Sequence, residues 1–238
     1  MPDGWPLNDA GKNMEAVDAV ERLRILVVED EHLFADLLVR WLSQKQNLAV
    51  AGVAHSGAEA IAMCGESKPQ LAFVDIELPD ANGLEVAGKL MAVSPAPRIV
   101  ILSSRCDPYC VYTATRLGVH AYVDKSSPLS ELDEVVGEVA RGGRVYSPAF
   151  LRVKEEFLAD PESFHKILSP REISVLLLVV EGVSDEEIAR RLGISPSTVN
   201  THRRNLRVKT GAHKDRDLVN YARQWGLVRS RTWWRSGT

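Results

Sequence analysis

The chain has 238 residues, of which 45% are hydrophobic and 26% charged, and it carries 3 cysteines. That length fits one large domain or two ordinary ones, the balance is that of a soluble globular protein, and so few cysteines build no disulfide framework, which points to a reducing cytoplasm. Charge is uneven: from Ser169 onward 13 Lys and Arg stand against 7 Asp and Glu, and before it 16 stand against 25, so an acidic front joins a basic back with the bias of a nucleic-acid binder.

The opening stretch, MPDGWPLNDAGKNMEA, has no basic start and no apolar core, so it is not a signal peptide, and residues 1–21 read as a disordered tail. Then strand and helix signals alternate. LRILVV is a β-branched run ended by Glu29 and Asp30, and LFADLLVRWL has helical spacing. LAVAGVA and GAEAIAMCGES repeat the pair, as do LAFVD and GLEVAGKLMAV, then RIVILSS and PYCVYTATRLG, then AYVDK and PLSELDEVVGEVARG. Five strands separated by helices predict a parallel sheet covered on both faces, here over residues 22–142. Ligands bind such sheets at the carboxyl ends of the strands, and in the order 2-1-3-4-5 strands one and three are neighbours. That edge gathers Glu29 and Asp30 after strand one, Asp75 at the end of strand three, Ser103 at the end of strand four and Lys125 after strand five.

Residues 143–167 carry mixed patterns and read as a linker, helical around Leu151 to Leu158. In Val175 to Val180 lies the longest aliphatic run, far short of the roughly 20 residues that span a bilayer, so no membrane partner is expected. Residues 168–230 read as four helices. SPRE places Ser169 at an N-cap with Pro170 behind it and Glu172 at the reciprocal position of a capping box, and SDEE repeats the box at Ser184 and Glu187. A helix stopped by Gly193, a three-residue turn and a helix begun at Ser195-Pro196 is the helix-turn-helix pattern, and DRDLVNYARQWG closes the domain ahead of a tail at 231–238. Taking Val199 as the inward direction and 100° per residue, Leu206 and His202 fall within about 60° of it, while Arg204 lies at about 140° and Thr201 at about 200°. The outer face is polar and basic, as a major-groove helix requires.

Crowded carboxylates bind a hard cation or raise one another's pKa, and a carboxylate can take a phosphoryl group as an aspartyl phosphate. Each residue alone has a plain explanation: Glu29 or Asp30 as a helix cap, Lys125 as a surface lysine. Together they resemble a family. ILVVEDEHLF, FVDIELPDANGLE, VILSS and AYVDKSSP resemble the receiver domain of two-component response regulators, with its flavodoxin-like doubly wound sheet. LSPREISVLLLVVEGVSDEEIARRLGISPSTVNTHRRNL resembles the LuxR-type helix-turn-helix of the NarL/FixJ subfamily.

The resemblance implies that Asp75 takes phosphate from a histidine kinase in a Mg²⁺-dependent reaction. Asp30 would be a direct metal ligand, Glu29 would act through water, and the backbone carbonyl of Glu77 would complete the protein ligands. Ser103 would bond the phosphoryl group, Lys125 would pair with it, and Tyr122 would be the aromatic switch. In the DNA-binding domain Asn200, Thr201 and Arg204 would approach bases and Arg203, Arg207 and Lys209 phosphates. The partners implied are double-stranded DNA, a second copy on activation and, with room left for it, RNA polymerase. Glu29 departs from the commoner Asp. Glu77 and Arg105, each two residues past a site group, are expected to pair at the site mouth, and Cys106 and Cys110 to remain reduced thiols. Two other readings stand beside this one: a phosphorylation-independent DNA-binding regulator, and a phosphohydrolase with Glu77 as general acid.

Overall fold

The computed structural model describes residues 22–228; the expected tails at 1–21 and 231–238 lie outside the described residues. The first half runs β1 (Leu23–Val28), α1 (His32–Ser43), β2 (Leu48–Ala54), α2 (Gly57–Ser67), β3 (Leu71–Asp75), α3 (Gly83–Met91), β4 (Arg98–Ser103), α4 (Pro108–Leu117), β5 (Ala121–Asp124), α5 (Leu129–Ala140) and β6 (Val145–Tyr146). The second runs α6 (Pro148–Ala159), α7 (Phe164–Ile167), α8 (Pro170–Val180), α9 (Asp185–Leu192), α10 (Pro196–Thr210) and α11 (Asp215–Gln224).

The sheet is parallel throughout, in the order β2-β1-β3-β4-β5-β6. The five-strand order 2-1-3-4-5 is the expected one. β6 is an addition at the edge, fixed where Val145 N–H donates to the His120 carbonyl and Ser147 N–H to that of Tyr122, both at 2.9 Å. Two residues are too few for a periodic signal, so sequence patterning did not reveal it.

Side chains alternate across each strand and sort the core into two layers. Leu26, Val28, Ala72, Val74, Ile99 and Ile101 face α2, α3 and α4. Ile25, Val27, Leu71, Phe73, Val100 and Leu102 face α1 and α5. Burial on both faces explains why these strands are continuously apolar.

Helix α6 is rooted at both ends. Phe150 in its first turn is fully buried in the receiver core, stacked on Tyr146 at 4.7 Å and tilted against Tyr122 at 4.9 Å. Phe157, two turns on, is buried against Phe164 and Trp225 in the core of the second half. Ser169 and Glu172 form the full capping box that starts α8. At α9 only half of the second box forms: Ser184 accepts from Glu187 N–H, but the Glu187 carboxylate turns to Arg190 and Arg191 at 2.7–2.8 Å. Two guanidinium partners at i+3 and i+4 outcompete one backbone N–H. Gly193, at φ 63°, ends α9, and Ser195 caps α10.

Candidate functional site

Strand register delivers the acidic residues to one place. Val28 pairs with Val74, so the residues beyond β1, Glu29 and Asp30, emerge beside Asp75. Asp75 pairs with Leu102, one step before Ser103, and Ser103 pairs with Asp124, one step before Lys125. One oxygen from each of Glu29, Asp30 and Asp75 lies within 4.8 Å of the others. Lys125 Nζ donates to Glu29 at 2.7 Å and to Asp75 at 3.0 Å, with its ammonium 4.7 Å from the centre of the Phe34 ring. Glu29 and Asp75 are 1% and 5% exposed.

Burial pushes the Asp75 carboxyl above its ordinary range, against the pull of Lys125 and of the Glu77 and Ile76 N–H groups. Glu29 is pushed up as well, by burial and by Asp75, with Lys125 opposing. The lysine is depressed by burial, but its bonds to both carboxylates outweigh that and raise it. Two buried carboxylates share one ammonium, with the half-buried Asp30 beside them, and burial at such a carboxylate cluster favours a bound cation. Oxygen donors alone suit a hard divalent ion such as Mg²⁺.

The loop after Asp75 is held tightly. Gly83 N–H donates to the Ile76 carbonyl at 2.8 Å, Asn82 caps α3, and Glu77 bridges to Asn82. A Cβ on Gly83 would collide with the Asp75 carbonyl, so only glycine lets α3 approach the end of β3 so closely.

Ser103 is buried, and its hydroxyl accepts from Arg105 N–H at 3.0 Å. Tyr122 is buried too, and its hydroxyl donates to the Arg105 carbonyl. Arg105 does face Glu77, but at 4.0 Å; its shorter bonds go to Asp107 at 2.6 Å and to the Gly226 carbonyl at 2.9 Å. Sequence reasoning missed that link across the chain, because nothing local marks a contact between residues so far apart. It missed Asp80 as well, whose carboxylate receives Gly57 and Ala58 N–H at 2.7 and 2.9 Å and so caps α2 from a distance. Cys106 and Cys110 are free thiols; burial, aided by Asp107, pushes Cys106 up to about 11 and Cys110 higher still.

At the other end of the chain, α10 packs on α8, α9 and α11 with Val199 and Leu206 inward. Asn200, Thr201 and Arg204 are exposed on its outer side. The other three named residues are engaged within the domain. Arg203 binds Asp185 and Asp215 and is 14% exposed, Arg207 binds Asp215 at 2.9 Å, and Lys209 binds Glu172 at 2.8 Å. His202 carries a buried Nδ1 with no protein partner. Among the described residues no helix is long and apolar enough to cross a membrane.

A doubly wound parallel sheet with this acidic edge, followed by a capped helix-turn-helix, defines a two-component response regulator that binds DNA. Residues 25–137 match the response regulator receiver domain, and residues 166–222 match the bacterial regulatory proteins of the luxR family. The chain belongs to the response regulators with a LuxR-type DNA-binding domain, the NarL type, and is a transcription factor rather than a turnover enzyme. Response regulator protein VraR of Staphylococcus aureus is 29% identical over 206 residues, which span 87% of this chain and 99% of VraR. RcsB of Salmonella enterica serovar Typhimurium, solved on promoter DNA with phosphomimetic BeF3−, shares the fold at TM-score 0.63 and 20% identity over 84% of this chain and 98% of RcsB. A LuxR-family response regulator of Aurantimonas sp. SI85-9A1 is similar at TM-score 0.54 and 26% identity over 58% of this chain and 99% of that one.

Proposed function

We propose that Asp75 is the phosphoacceptor and that its phosphorylation by a histidine kinase controls how a pair of these chains binds DNA in the cytoplasm. The observation that carries this is the Asp75 carboxylate at the end of β3, held 3.0 Å from Lys125 and crowded by Glu29 and Asp30. An Asp75 oxygen attacks the phosphorus of a phosphohistidine, the P–N bond breaks, and the histidine leaves. Lys125 faces the phosphoryl oxygens, and Ser103 donates its hydroxyl to one of them. Glu29 (through water), Asp30, Asp75 and the Glu77 carbonyl would hold Mg²⁺, which would supply positive charge to offset that of the transferring group.

Asn200, Thr201 and Arg204 serve as base-reading residues. Arg207 and Lys209 serve phosphates by exchanging an internal carboxylate for a backbone phosphate, and Arg203 chiefly ties α10 to α9 and α11. Single DNA-binding modules bury only about 600–1,000 Å², so two copies on paired half-sites supply the affinity. RcsB dimers have been solved on DNA. Incubation with acetyl phosphate and Mg²⁺, followed by mass spectrometry of the Asp75 peptide, tests the assignment. Phosphate on another carboxylate with Asp75 unmodified defeats it, and equal DNA binding with and without phosphate favours a phosphorylation-independent regulator.

A further inference from the structure

The two halves of the molecule meet where two helix ends face each other. The first N–H groups of a helix and its last carbonyls have no partner within the helix. At the start of α4, Pro108 has no N–H, and Asp107 satisfies Cys110 N–H at 3.0 Å. The free N–H between them, that of Tyr109, donates across the interface to the Trp225 carbonyl at 3.1 Å. Trp225 and Gly226 end α11, so the positive end of one helix dipole meets the negative end of the other. The approach is close: a Cβ on Gly226, which sits at φ 74°, would collide with Asp107. Tyr109 and Tyr112 continue the contact against Phe164, at 6.4 and 5.1 Å.

Arg105 ties this interface to the receiver site through every polar part it has. Its N–H donates to Ser103, its carbonyl accepts from Tyr122, and its guanidinium spans Asp107 and the Gly226 carbonyl. We propose that Arg105 is a latch that holds the DNA-binding domain against α4 and opens when Ser103 turns toward a phosphoryl group on Asp75. The proposal rests on the phosphoacceptor reading above. Rotation of the Ser103 hydroxyl withdraws the acceptor from Arg105 N–H and frees the loop from Ser104 to Asp107. Asp107 both caps α4 and aligns the guanidinium, so a shift of about 1 Å there spoils the bond to Gly226 and the helix-end contact with it. The latch does not cover the reading helix, since Asn200, Thr201 and Arg204 are exposed while it is closed. It fixes the direction in which that helix points, and opening lets two copies orient theirs on paired half-sites.

The Tyr109 amide reports the latch directly, because its acceptor, the Trp225 carbonyl, lies in the other domain. Hydrogen exchange of full-length protein, with and without acetyl phosphate and Mg²⁺, follows that amide while mass spectrometry counts phosphate on Asp75. The expected result is protection without phosphate and exchange at least about tenfold faster with it. Arg105→Ala exchanges fast without phosphate, and so does Gly226→Ala, which opens the interface from the opposite side; unchanged protection of Ile101 in β4 and Leu218 in α11 shows that both halves remain folded in each variant. Full phosphorylation of Asp75 with Tyr109 still protected would overturn the latch and leave the proposed function standing. Protection retained in Arg105→Ala would also overturn it. Absence of phosphate on Asp75 would count against the proposed function and take the latch with it.

Discussion

Replacing Lys125 by Met removes the ammonium that Glu29 and Asp75 share. The side chains of these two carboxylates are 2% and 6% exposed and lie 2.7 and 3.0 Å from Nζ. Leaving a buried charge without its partner costs about 3–5 kcal/mol. Both carboxyls already sit above their ordinary range through burial, so the folded receiver can lower that cost by taking up a proton. A raised carboxylate pKa means that the folded state binds more protons than the unfolded one, and its stability falls as pH rises through that range. Lys125→Met therefore destabilises the receiver by about 3–5 kcal/mol near neutral pH and by less at about pH 5. Urea titrations in the presence of a chelator measure both values, and adding Glu29→Gln to the variant recovers part of the loss. A loss under about 1 kcal/mol at neutral pH, or one that does not change with pH, would refute the charge argument.

Gly83→Ala drives a methyl group into the Asp75 carbonyl, and the expected cost is about 1–3 kcal/mol together with slower phosphorylation, read by urea titration and by mass spectrometry with acetyl phosphate. Arg204→Ala should weaken DNA binding by about 1–3 kcal/mol without changing stability, whereas Arg203→Ala should lower the melting temperature, since its guanidinium joins α10 to Asp185 and Asp215. Equal melting temperatures for the two variants would contradict that division. Glu172 is raised by burial, but its bonds to Lys209 and Ser169 outweigh this and hold its carboxyl below the ordinary 4.5. Its contribution is complete above that value and is lost as pH falls through the folded one, so melts of wild type should drop in acid more steeply than those of Glu172→Gln.

The receiver strands were legible because burial on both faces makes them short, continuous apolar runs, and Asp75, Ser103 and Lys125 stand out at their ends. Ser169, Ser184 and Ser195 marked the starts of α8, α9 and α10 for the same kind of reason, a local hydrogen bond with a local sequence signature. What stayed hidden depends on contacts between distant residues. Two residues of β6 have no period of their own and are strand only because β5 is beside them. Phe150 and Phe157 lie on one amphipathic helix, yet they enter two different cores, which helical spacing cannot tell apart. Arg203 falls on a basic helix and reads as a phosphate contact; its ion pairs with Asp185 and Asp215, which come from other helices, have no local signature. SDEE has the spacing of a capping box, yet the Glu187 carboxylate binds its own neighbours Arg190 and Arg191 instead.

Footprinting on genomic fragments, with wild type and Asp75→Asn each treated with acetyl phosphate and Mg²⁺, tests the central claim most directly. Asn keeps the shape of Asp75 but offers no carboxylate oxygen for attack on phosphorus. Wild type should protect paired half-sites about one helical turn apart at concentrations where Asp75→Asn leaves them open. Identical footprints from the two proteins at every concentration would contradict control of DNA binding by a phosphoryl group on Asp75.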